Sequence, residues 1–287
     1  MLAGAPTEFQ RPEPPPGARN LVIVVLDSLR YDTWTAARLP NLSRLGEVAR
    51  RFSYASWTAP SHYNLMMGLL PHASPAEVNA SDYYKQDLLR FADRLQVDSV
   101  SFQQMLPALY LPLYLRDVLG YTTHAMVSMP VLNPATPFNR GFDTFELMPT
   151  HNDLDAMVDG LRFGDRPSFH LLNAGETHYP YAIPGEDPSE WPRISGLHGV
   201  LKKLHIDGEE TPFFDDASLA RLRGRQLRAL TYVDTVFERL FDLLPPNTWL
   251  IVTSDHGELF GEEGYFGHGP IAHLKVLEVP LVEGMLR

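Results

Sequence analysis

The stretch LVIVVLD, residues 21–27, decides the fold of this 287-residue chain. It is a short, β-branched apolar run bounded by polar residues, which is typical of a strand buried on both faces of a parallel sheet. Other runs of this character predict further strands, and a shorter one is a candidate for a last strand. These runs are YTTHAMVS (121–128), SFHLLNA (168–174), WLIVTSD (249–255) and, as the shorter one, VPLV (279–282).

Helical patterns lie between the apolar runs. Apolar positions at three- and four-residue spacing predict a long helix over residues 215–244, which stops before two prolines. Strand–helix–strand alternation of this kind predicts an α/β domain with a mostly parallel central sheet flanked by helices. Three shorter helices are predicted: LPNLSRLGEVAR (39–50), PSHYNLMMGLL (60–70), and ALYLPLYLRDVLG (108–120) with an interruption or kink at Pro112.

One large domain is predicted, since the chain only slightly exceeds the length at which a single core stops growing. Residues 1–19 carry four prolines within positions 12–16 and are predicted to be a flexible lead-in to one domain over 20–287. An irregular excursion is predicted around residues 183–216, which are rich in proline, glycine and charge. Long irregular excursions are often lids or binding loops.

Composition restricts the functional classes. The chain has no cysteine, which excludes disulfides, thiolate ligands and a thiol nucleophile. A net charge of −11 argues against a nucleic-acid partner. There is no signal-peptide pattern and no apolar run of the roughly 18 residues that span a bilayer, so the sequence predicts a cytoplasmic enzyme without a membrane partner.

Four segments carry candidate chemistry: VVLDSLRYD (24–32), SWTAPSHYNLMMG (56–68), NAGETHYPY (173–181) and VTSDHGELFGEEGYFGHGP (252–270). Singly, each has an ordinary interpretation. Asp27 suits a helix or turn cap, Thr58 or Ser61 suits a helix N-cap, and His178 suits a surface or partly buried position.

Together, the segments predict a metal site. Asp27 and Asp255 both end apolar strands, so a parallel sheet would bring their carboxylates to the same edge. His256 adds a nitrogen ligand, and a set of carboxylates and imidazole favours zinc or manganese over magnesium and calcium. A Thr58 hydroxyl at a helix start would complete the site, where a metal lowers its pKa and helix amides face an anion.

In this order, the segments resemble the alkaline phosphatase superfamily, specifically its sulfatase-like branch, over about residues 20–282. VVLDSLRYD resembles the first metal-binding strand, and WTAPSHYNLMMGLLP resembles the nucleophile helix. YTTHAMVS with NRGFDTFE resembles the Gly-Tyr…Gly-Phe-Asp segment, and THYPY resembles the substrate-binding histidine segment. SDHGE…GHG resembles the second metal segment, and LKVLEVPLVEG a late Val-Pro-Leu strand. The resemblance implies an alkaline-phosphatase-like three-layer sandwich.

Several positions depart from the sulfatase pattern. Thr58 stands where sulfatases have the cysteine that becomes formylglycine, and His62 replaces the arginine after Pro-Ser. Ser28 replaces the second acid of an Asp-Asp pair, and only Lys275 remains as a remote substitute for the sulfate-binding lysine. The departures favour relatives with a threonine nucleophile, such as phosphodiesterases and the phosphoethanolamine or phosphoglycerol transferases.

The resemblance implies a role for each candidate residue. Asp27, Thr58, Asp255 and His256 would bind one divalent cation, and Thr58 would attack phosphorus to form a covalent phospho-enzyme. His178 would hold a phosphoryl oxygen, and His268 would bind substrate or a second metal.

Further residues are assigned less specifically. A second metal would have only Glu176, His178 and His268 as ligands, so one ion is favoured. His62 is a charge partner, a general acid or a surface helix residue. Arg30 and Asp32 are interpreted as a structural pair. The acids at positions 258, 262 and 263 are interpreted as a solvated acidic turn.

The favoured function is a metal-dependent hydrolase or transferase of a small anionic phosphate ester. One alternative is a sulfatase-like or phosphonate-ester hydrolase without formylglycine, and another is a non-catalytic protein that retains the fold. Retention of all four ligands argues against the last. The substrate would be covered by residues 183–216, by residues around 79–105, or by a second subunit of a homo-oligomer.

Overall fold

A computed structural model describes residues 10–73, 90–100, 110–192 and 215–285, together with the backbone of a few strand residues between 202 and 210. The helices are α1 (Tyr31–Ala36), α2 (Thr58–Met66), α3 (Leu111–Asp117), α4 (Leu154–Gly160), α5 (Asp216–Leu243) and α6 (Leu274–Leu277). The strands are β1 (Asn20–Leu26), β2 (Ala49–Phe52), β3 (Thr122–Val127), β4 (Thr144–Leu147), β5 (Ser168–Ala174), β6 (Lys202–Lys203), β7 (His205–Ile206), β8 (Glu209–Glu210), β9 (Thr248–Thr253), β10 (Leu259–Phe260), β11 (Tyr265–Gly267) and β12 (Glu278–Gly284).

Seven strands form the central sheet, in the order β2-β12-β9-β1-β5-β3-β4. The five strands from β9 to β4 are parallel, whereas β12 is antiparallel to both β9 and β2. The predicted mostly parallel sheet is therefore confirmed. The run VPLV is confirmed as part of β12, but this strand is antiparallel to its neighbours, and the sequence pattern did not indicate its direction.

Strand β1 lies in the middle of the sheet and separates two hydrophobic cores. Its odd-numbered residues 21–25 pack in one core with side chains of α2 and α3, such as Leu65 and Leu115. Its even-numbered residues 22–26 pack in the other core with side chains of α5, such as Val233 and Phe237. Because both faces of β1 are covered, the run is apolar at every position, and the architecture is a three-layer sandwich.

The predicted long helix is confirmed as α5, whose N-terminus is capped by Asp215 through a 2.6 Å bond from the Ser218 amide. Tyr110 is extended and α3 begins at Leu111, so the predicted interruption is confirmed, and Pro112 lies in the first turn, where a proline causes no kink. Residues 108 and 109 of that predicted helix lie outside the described residues. No helix in the described part of the chain has the length and apolarity that a membrane span requires.

The helix predicted over residues 39–50 is wrong. The structure has a single 3-10 turn at Leu42–Leu45, and the chain then enters the edge strand β2. Gly46 adopts φ 127°, a conformation that other residues rarely adopt, and it ends the turn. Asp234 of α5 holds this turn, since its carboxylate accepts bonds of 3.2 and 2.8 Å from the amides of Asn41 and Leu42.

The described part of the predicted lead-in, residues 10–19, lies against the predicted domain. Arg11 pairs with Asp143 at 2.5 Å, and Glu13 pairs with Arg166 at 2.6 Å. The flexibility predicted for residues 1–19 stays a prediction.

In the excursion predicted around residues 183–216, β6 pairs with β11, so residues 202–203 lie beside the strand that precedes His268.

The contact between α5 and the turn before β2 can be tested with Asp234→Ala. The carboxylate is 2% exposed, so its loss leaves the buried Leu42 amide without its acceptor and is expected to lower the free energy of unfolding by about 1–3 kcal/mol. Urea unfolding followed by circular dichroism measures this loss. Asp242→Ala, at an exposed position of the same helix, is the matched control, and equal stability of the two variants would contradict the assignment.

Candidate active site

The sheet register brings the two strand-end acids together. Val25 of β1 is paired with Thr253 of β9, and the same offset two residues later aligns Asp27 with Asp255. The ligand atoms of Asp27, Asp255 and His256 all lie within 4.8 Å of one another, and the three side chains are at most 1% exposed. Nε2 of His256 lies 3.3 Å from Oδ2 of Asp255 and 4.0 Å from Oδ1 of Asp27.

The hydrogen bonds of His256 and Asp255 leave ligand atoms available. His256 Nδ1 is 2.9 Å from the carbonyl oxygen of Gly257. Because a carbonyl only accepts, Nδ1 carries the proton and Nε2 presents its lone pair, which is the arrangement of a metal-ligating histidine. Oδ1 of Asp255 accepts from the amides of Ser28 and His256, whereas Oδ2 has no hydrogen-bond partner among the described residues.

Asp27 is oriented by two side chains. Oδ1 accepts a 3.2 Å bond from the Ser28 hydroxyl, and Oδ2 accepts a 3.0 Å bond from Nδ2 of Asn173. The amide oxygen of Asn173 in turn accepts from the amides of Ser128 and Met129, which fixes the direction of the side chain. Sequence reasoning did not single out Asn173, although a polar residue near the end of the buried run SFHLLNA was a signal.

The electrostatics of this cluster fit a cation. Burial raises the pKa of Asp255 to about 7, and burial together with the Asp255 carboxylate raises the pKa of Asp27. Burial and the neighbouring His268 lower the pKa of His256 to about 3, so its imidazole is neutral at physiological pH. Two adjacent buried carboxylates, a neutral imidazole and an unpartnered carboxylate oxygen are a donor set that a divalent cation would stabilise.

Thr58 lies beside this cluster at the first residue of α2. Its Oγ1 is 3.4 Å from His256 Nε2, and its side chain does not cap the helix, so the capping interpretation is wrong. One turn later, Nδ1 of His62 lies 2.9 Å from the Thr58 carbonyl oxygen and 3.5 Å from Oδ2 of Asp255. His62 is 0% exposed, so its interpretation as a surface residue is also wrong, and burial lowers its pKa.

Of the remaining candidates, His268 and His178 lie beside the cluster, whereas Glu176 contacts the start of α4. The His268 ring lies 4.2 Å from the His256 ring and 5.3 Å from the His178 ring, measured between centroids. Glu176 is fully buried, but its Oε1 accepts a 2.8 Å bond from the amide of Leu154 at the start of α4. The structure thus assigns Glu176 a contact with the start of α4 rather than a contact with the group of Asp27, Asp255 and His256.

The interpretation of residues 258, 262 and 263 as a solvated acidic turn is wrong for Glu258. This side chain is 0% exposed, accepts a hydrogen bond from the Tyr181 hydroxyl, and has Oε1 3.4 Å from Nδ1 of His268. Its position two residues after His256 was the only sequence signal. Glu262 instead pairs with Arg30 at 2.6 Å.

The structural pair predicted for Arg30 and Asp32 is confirmed by bonds of 2.8 and 2.6 Å. Asp32 also pairs with Lys275 at 3.1 Å. Lys275 also lies 3.6 Å from Glu278, and its role as a remote substitute for the sulfate-binding lysine stays a prediction.

Comparisons with known proteins place this chain in a family. The sulfatase family model matches residues 19–282. The phosphonate monoester hydrolase of Agrobacterium radiobacter has a similar structure, with a TM-score of 0.57 and 16% identity over 92% of this chain and 68% of that chain. No protein with a curated description matches the sequence.

Two further solved structures share the fold. The soluble domain of lipooligosaccharide phosphoethanolamine transferase A from Neisseria meningitidis has a TM-score of 0.51 and 16% identity over 95% of this chain and 78% of that chain. The C-terminal periplasmic domain of EcEptC from Escherichia coli, in complex with Zn, has a TM-score of 0.50 and 15% identity over 94% and 73%. Identities this low show a common fold alone, whereas the family model spans most of the chain. The chain therefore belongs to the sulfatase family, an enzyme family of the alkaline phosphatase superfamily.

Proposed function

We propose that this protein is a metal-dependent hydrolase or transferase of phosphate esters, with Thr58 as the nucleophile and residues 20–287 as a single catalytic domain. The observation that carries the proposal is the position of the Thr58 hydroxyl, 3.4 Å from the unprotonated Nε2 of His256 and beside two buried carboxylates. A hydroxyl at a helix start, next to such a donor set, is suited to attack on an anionic ester.

The donor set supports one divalent cation held by Asp27, Asp255, His256 and the Thr58 hydroxyl. A nitrogen ligand beside carboxylates favours zinc or manganese, and the relative solved in complex with Zn supports zinc. When bound, the cation would supply the positive charge that lowers the pKa of the hydroxyl and stabilises the phosphoryl oxygens. The described residues hold one group of three such ligands, so a second ion at His178 and His268 remains the less favoured proposal.

The proposed reaction has two displacement steps, both at phosphorus. Oγ of Thr58 gives up its hydroxyl proton to solvent and forms a bond to phosphorus, while the ester oxygen leaves with its bonding electron pair and takes up a proton, which produces a phosphothreonine. Water or an acceptor alcohol then loses a proton and attacks phosphorus, and the electron pair of the broken bond returns to Oγ, which is reprotonated. His178 Nδ1 donates to the carbonyl of Tyr179 at 2.7 Å, so its Nε2 is the atom available to the substrate, and it donates to a phosphoryl oxygen only as an imidazolium.

Two observations bear on the competing functions. Thr58 stands where formylglycine would form and cannot itself be oxidised to that aldehyde, so it supports phosphoryl rather than sulfuryl transfer. The similarity to a phosphonate monoester hydrolase supports a phosphonate ester as the second candidate substrate. The cytoplasmic location stays a prediction, because one structural relative is a periplasmic domain.

The metal site is tested with Asp255→Asn. Elemental analysis of the wild-type protein is expected to find about one zinc or manganese per chain, whereas the variant, which loses a charged ligand, is expected to retain a small fraction of it. Asp242→Asn, an equal change of charge at an exposed position, is the control. Metal-free wild-type protein after incubation with both metals would contradict the proposal and favour a non-catalytic protein.

The nucleophile is tested with Thr58→Ala on chromogenic phosphate mono- and diesters, phosphonate esters and sulfate esters. We expect turnover of a phosphate ester to fall by about 10³-fold or more, because no other hydroxyl replaces the nucleophile. Thr231→Ala, at an exposed position of α5, is expected to keep wild-type activity. Intact-protein mass spectrometry of quenched wild-type enzyme is expected to show one added phosphoryl group, and turnover of sulfate esters alone would refute the assignment.

A further inference from the structure

A second group of buried polar side chains adjoins the proposed metal ligands and has no role in the steps above. It comprises Glu258, His268, Tyr181 and Ser28, which we name the acid–imidazole cluster. Their exposed fractions are 0%, 3%, 0% and 0%. Buried polar side chains without function are costly, because each must find hydrogen-bond partners away from water. The hydrogen-bond donors and acceptors of this cluster therefore indicate how its side chains are protonated and oriented.

The partners of His268 determine which of its nitrogens carries the proton. Nδ1 faces two oxygens, Oε1 of Glu258 at 3.4 Å and Oγ of Ser28 at 3.5 Å. The Ser28 hydroxyl donates its single proton to Asp27 Oδ1 at 3.2 Å, so towards His268 this oxygen can only accept. A Glu258 carboxylate also only accepts. Both neighbours thus require a proton on Nδ1, which leaves a lone pair on Nε2 at the opposite side of the ring.

Glu258 is itself held in place from two sides. The Tyr181 hydroxyl donates to Oε2, which leaves Oε1 for His268. Tyr181 adopts φ 57°, a conformation that a bulky residue rarely adopts, and its ring lies 5.8 Å from that of Phe260. The guanidinium of Arg30 donates to the main-chain carbonyl of Glu258 at 3.1 Å.

The charge of Glu258 is not needed to neutralise Arg30. That guanidinium already pairs with Asp32 and Glu262, both at 2.6 Å, and it contacts Glu258 through the main chain alone. The carboxylate oxygens of Glu258 are instead used on Tyr181 and His268. A purely structural counterion would face the guanidinium, so the observed contacts favour a function in orienting the imidazole.

We propose that Glu258, oriented by Tyr181, is a positioning residue that holds His268 in the tautomer with the proton on Nδ1. The unprotonated Nε2 then accepts a hydrogen bond from the water or alcohol that attacks phosphorus, and so directs its oxygen. The His268 ring is suitably located, since it lies 4.2 Å from the ring of His256, whose Nε2 contacts Thr58 Oγ1. This second part rests on the proposed function, whereas the tautomer does not.

The tautomer is tested on metal-free protein without any measurement of activity. Long-range proton–nitrogen NMR correlations of 15N-histidine-labelled protein distinguish the two neutral tautomers, and His268→Asn identifies the signals. We expect the Nδ1–H form in the wild type and a shift towards the Nε2–H form in Glu258→Ala. Tyr179→Phe, which removes a neighbouring, partly buried hydroxyl bonded to the carbonyl of Pro192, is the control expected to change nothing. An Nε2–H form in the wild type, or no effect of Glu258→Ala, overturns the proposal.

Kinetics of zinc-loaded protein test the consequence. We expect Glu258→Ala to lower kcat for a phosphate ester about 10–100-fold with little change in KM or zinc content, as for other partners that orient a catalytic imidazole. Glu258→Gln is expected to restore most of kcat, because its amide oxygen still accepts from Nδ1 and its amide group can donate to Tyr181. A Gln variant as impaired as the Ala variant, or an Ala variant that loses stability but keeps kcat, overturns the positioning role.

These outcomes separate the two proposals. An active Thr58→Ala variant would refute the proposed nucleophile, while the NMR result for His268 would stand. Conversely, an Nε2–H tautomer of His268 together with an inactive Thr58→Ala variant would refute the role of Glu258 and leave the phosphothreonine mechanism intact.

Discussion

The repulsion between two buried carboxylates, Asp27 and Asp255, dominates the electrostatics of the candidate site. The register of two adjacent parallel strands fixes Asp27 and Asp255 at one sheet edge, where neither can reach water. Such a pair is stable only with a proton or a cation between its members, and the unprotonated Nε2 of His256 favours a cation. The register therefore supports the proposed cation site at this edge, and the Thr58 hydroxyl lies 3.4 Å from Nε2 of His256 in the same group.

Two neutral polar side chains bond to the main chain near Asp27. Gln226 of α5 donates to the carbonyl oxygens of Ser28 and Thr177, and Thr177 donates to the carbonyl oxygen of Asp27 at 2.7 Å. These bonds satisfy the main chain where Ser28 adopts φ 60°. Helix α5, which is distant in sequence, thus holds the main chain of Asp27 and Ser28 at the end of β1. The packing of α5 and the geometry of the site are therefore coupled.

Within the sulfatase family, the chain has the proposed metal ligands together and differs in the groups around them. His62, which stands in the position of an arginine, is buried and neutral, and it donates to the Thr58 carbonyl instead of presenting a charge. Ser28, which stands in the position of an acid, bridges Asp27 and His268. The positive charge around the substrate would thus come from the proposed cation, and the imidazole of His268, in the proposed tautomer, would add an acceptor. His62 and Ser28 thus both change the polar groups that surround the proposed ligands.

Elements whose signals are local could be predicted from the amino-acid sequence. The buried strands ending in Asp27 and Asp255, the helix beginning near Thr58 and the long helix α5 all follow from apolar periodicity and from the residues that end each run. Tertiary structure alone decided the turn at residues 42–45, where Asp234 overrides the helical pattern, and the antiparallel direction of β12. It also decided the burial of Glu258. That carboxylate is buried because Tyr181, 77 positions earlier, folds back onto it, and no pattern within SDHGE records a partner at such a distance.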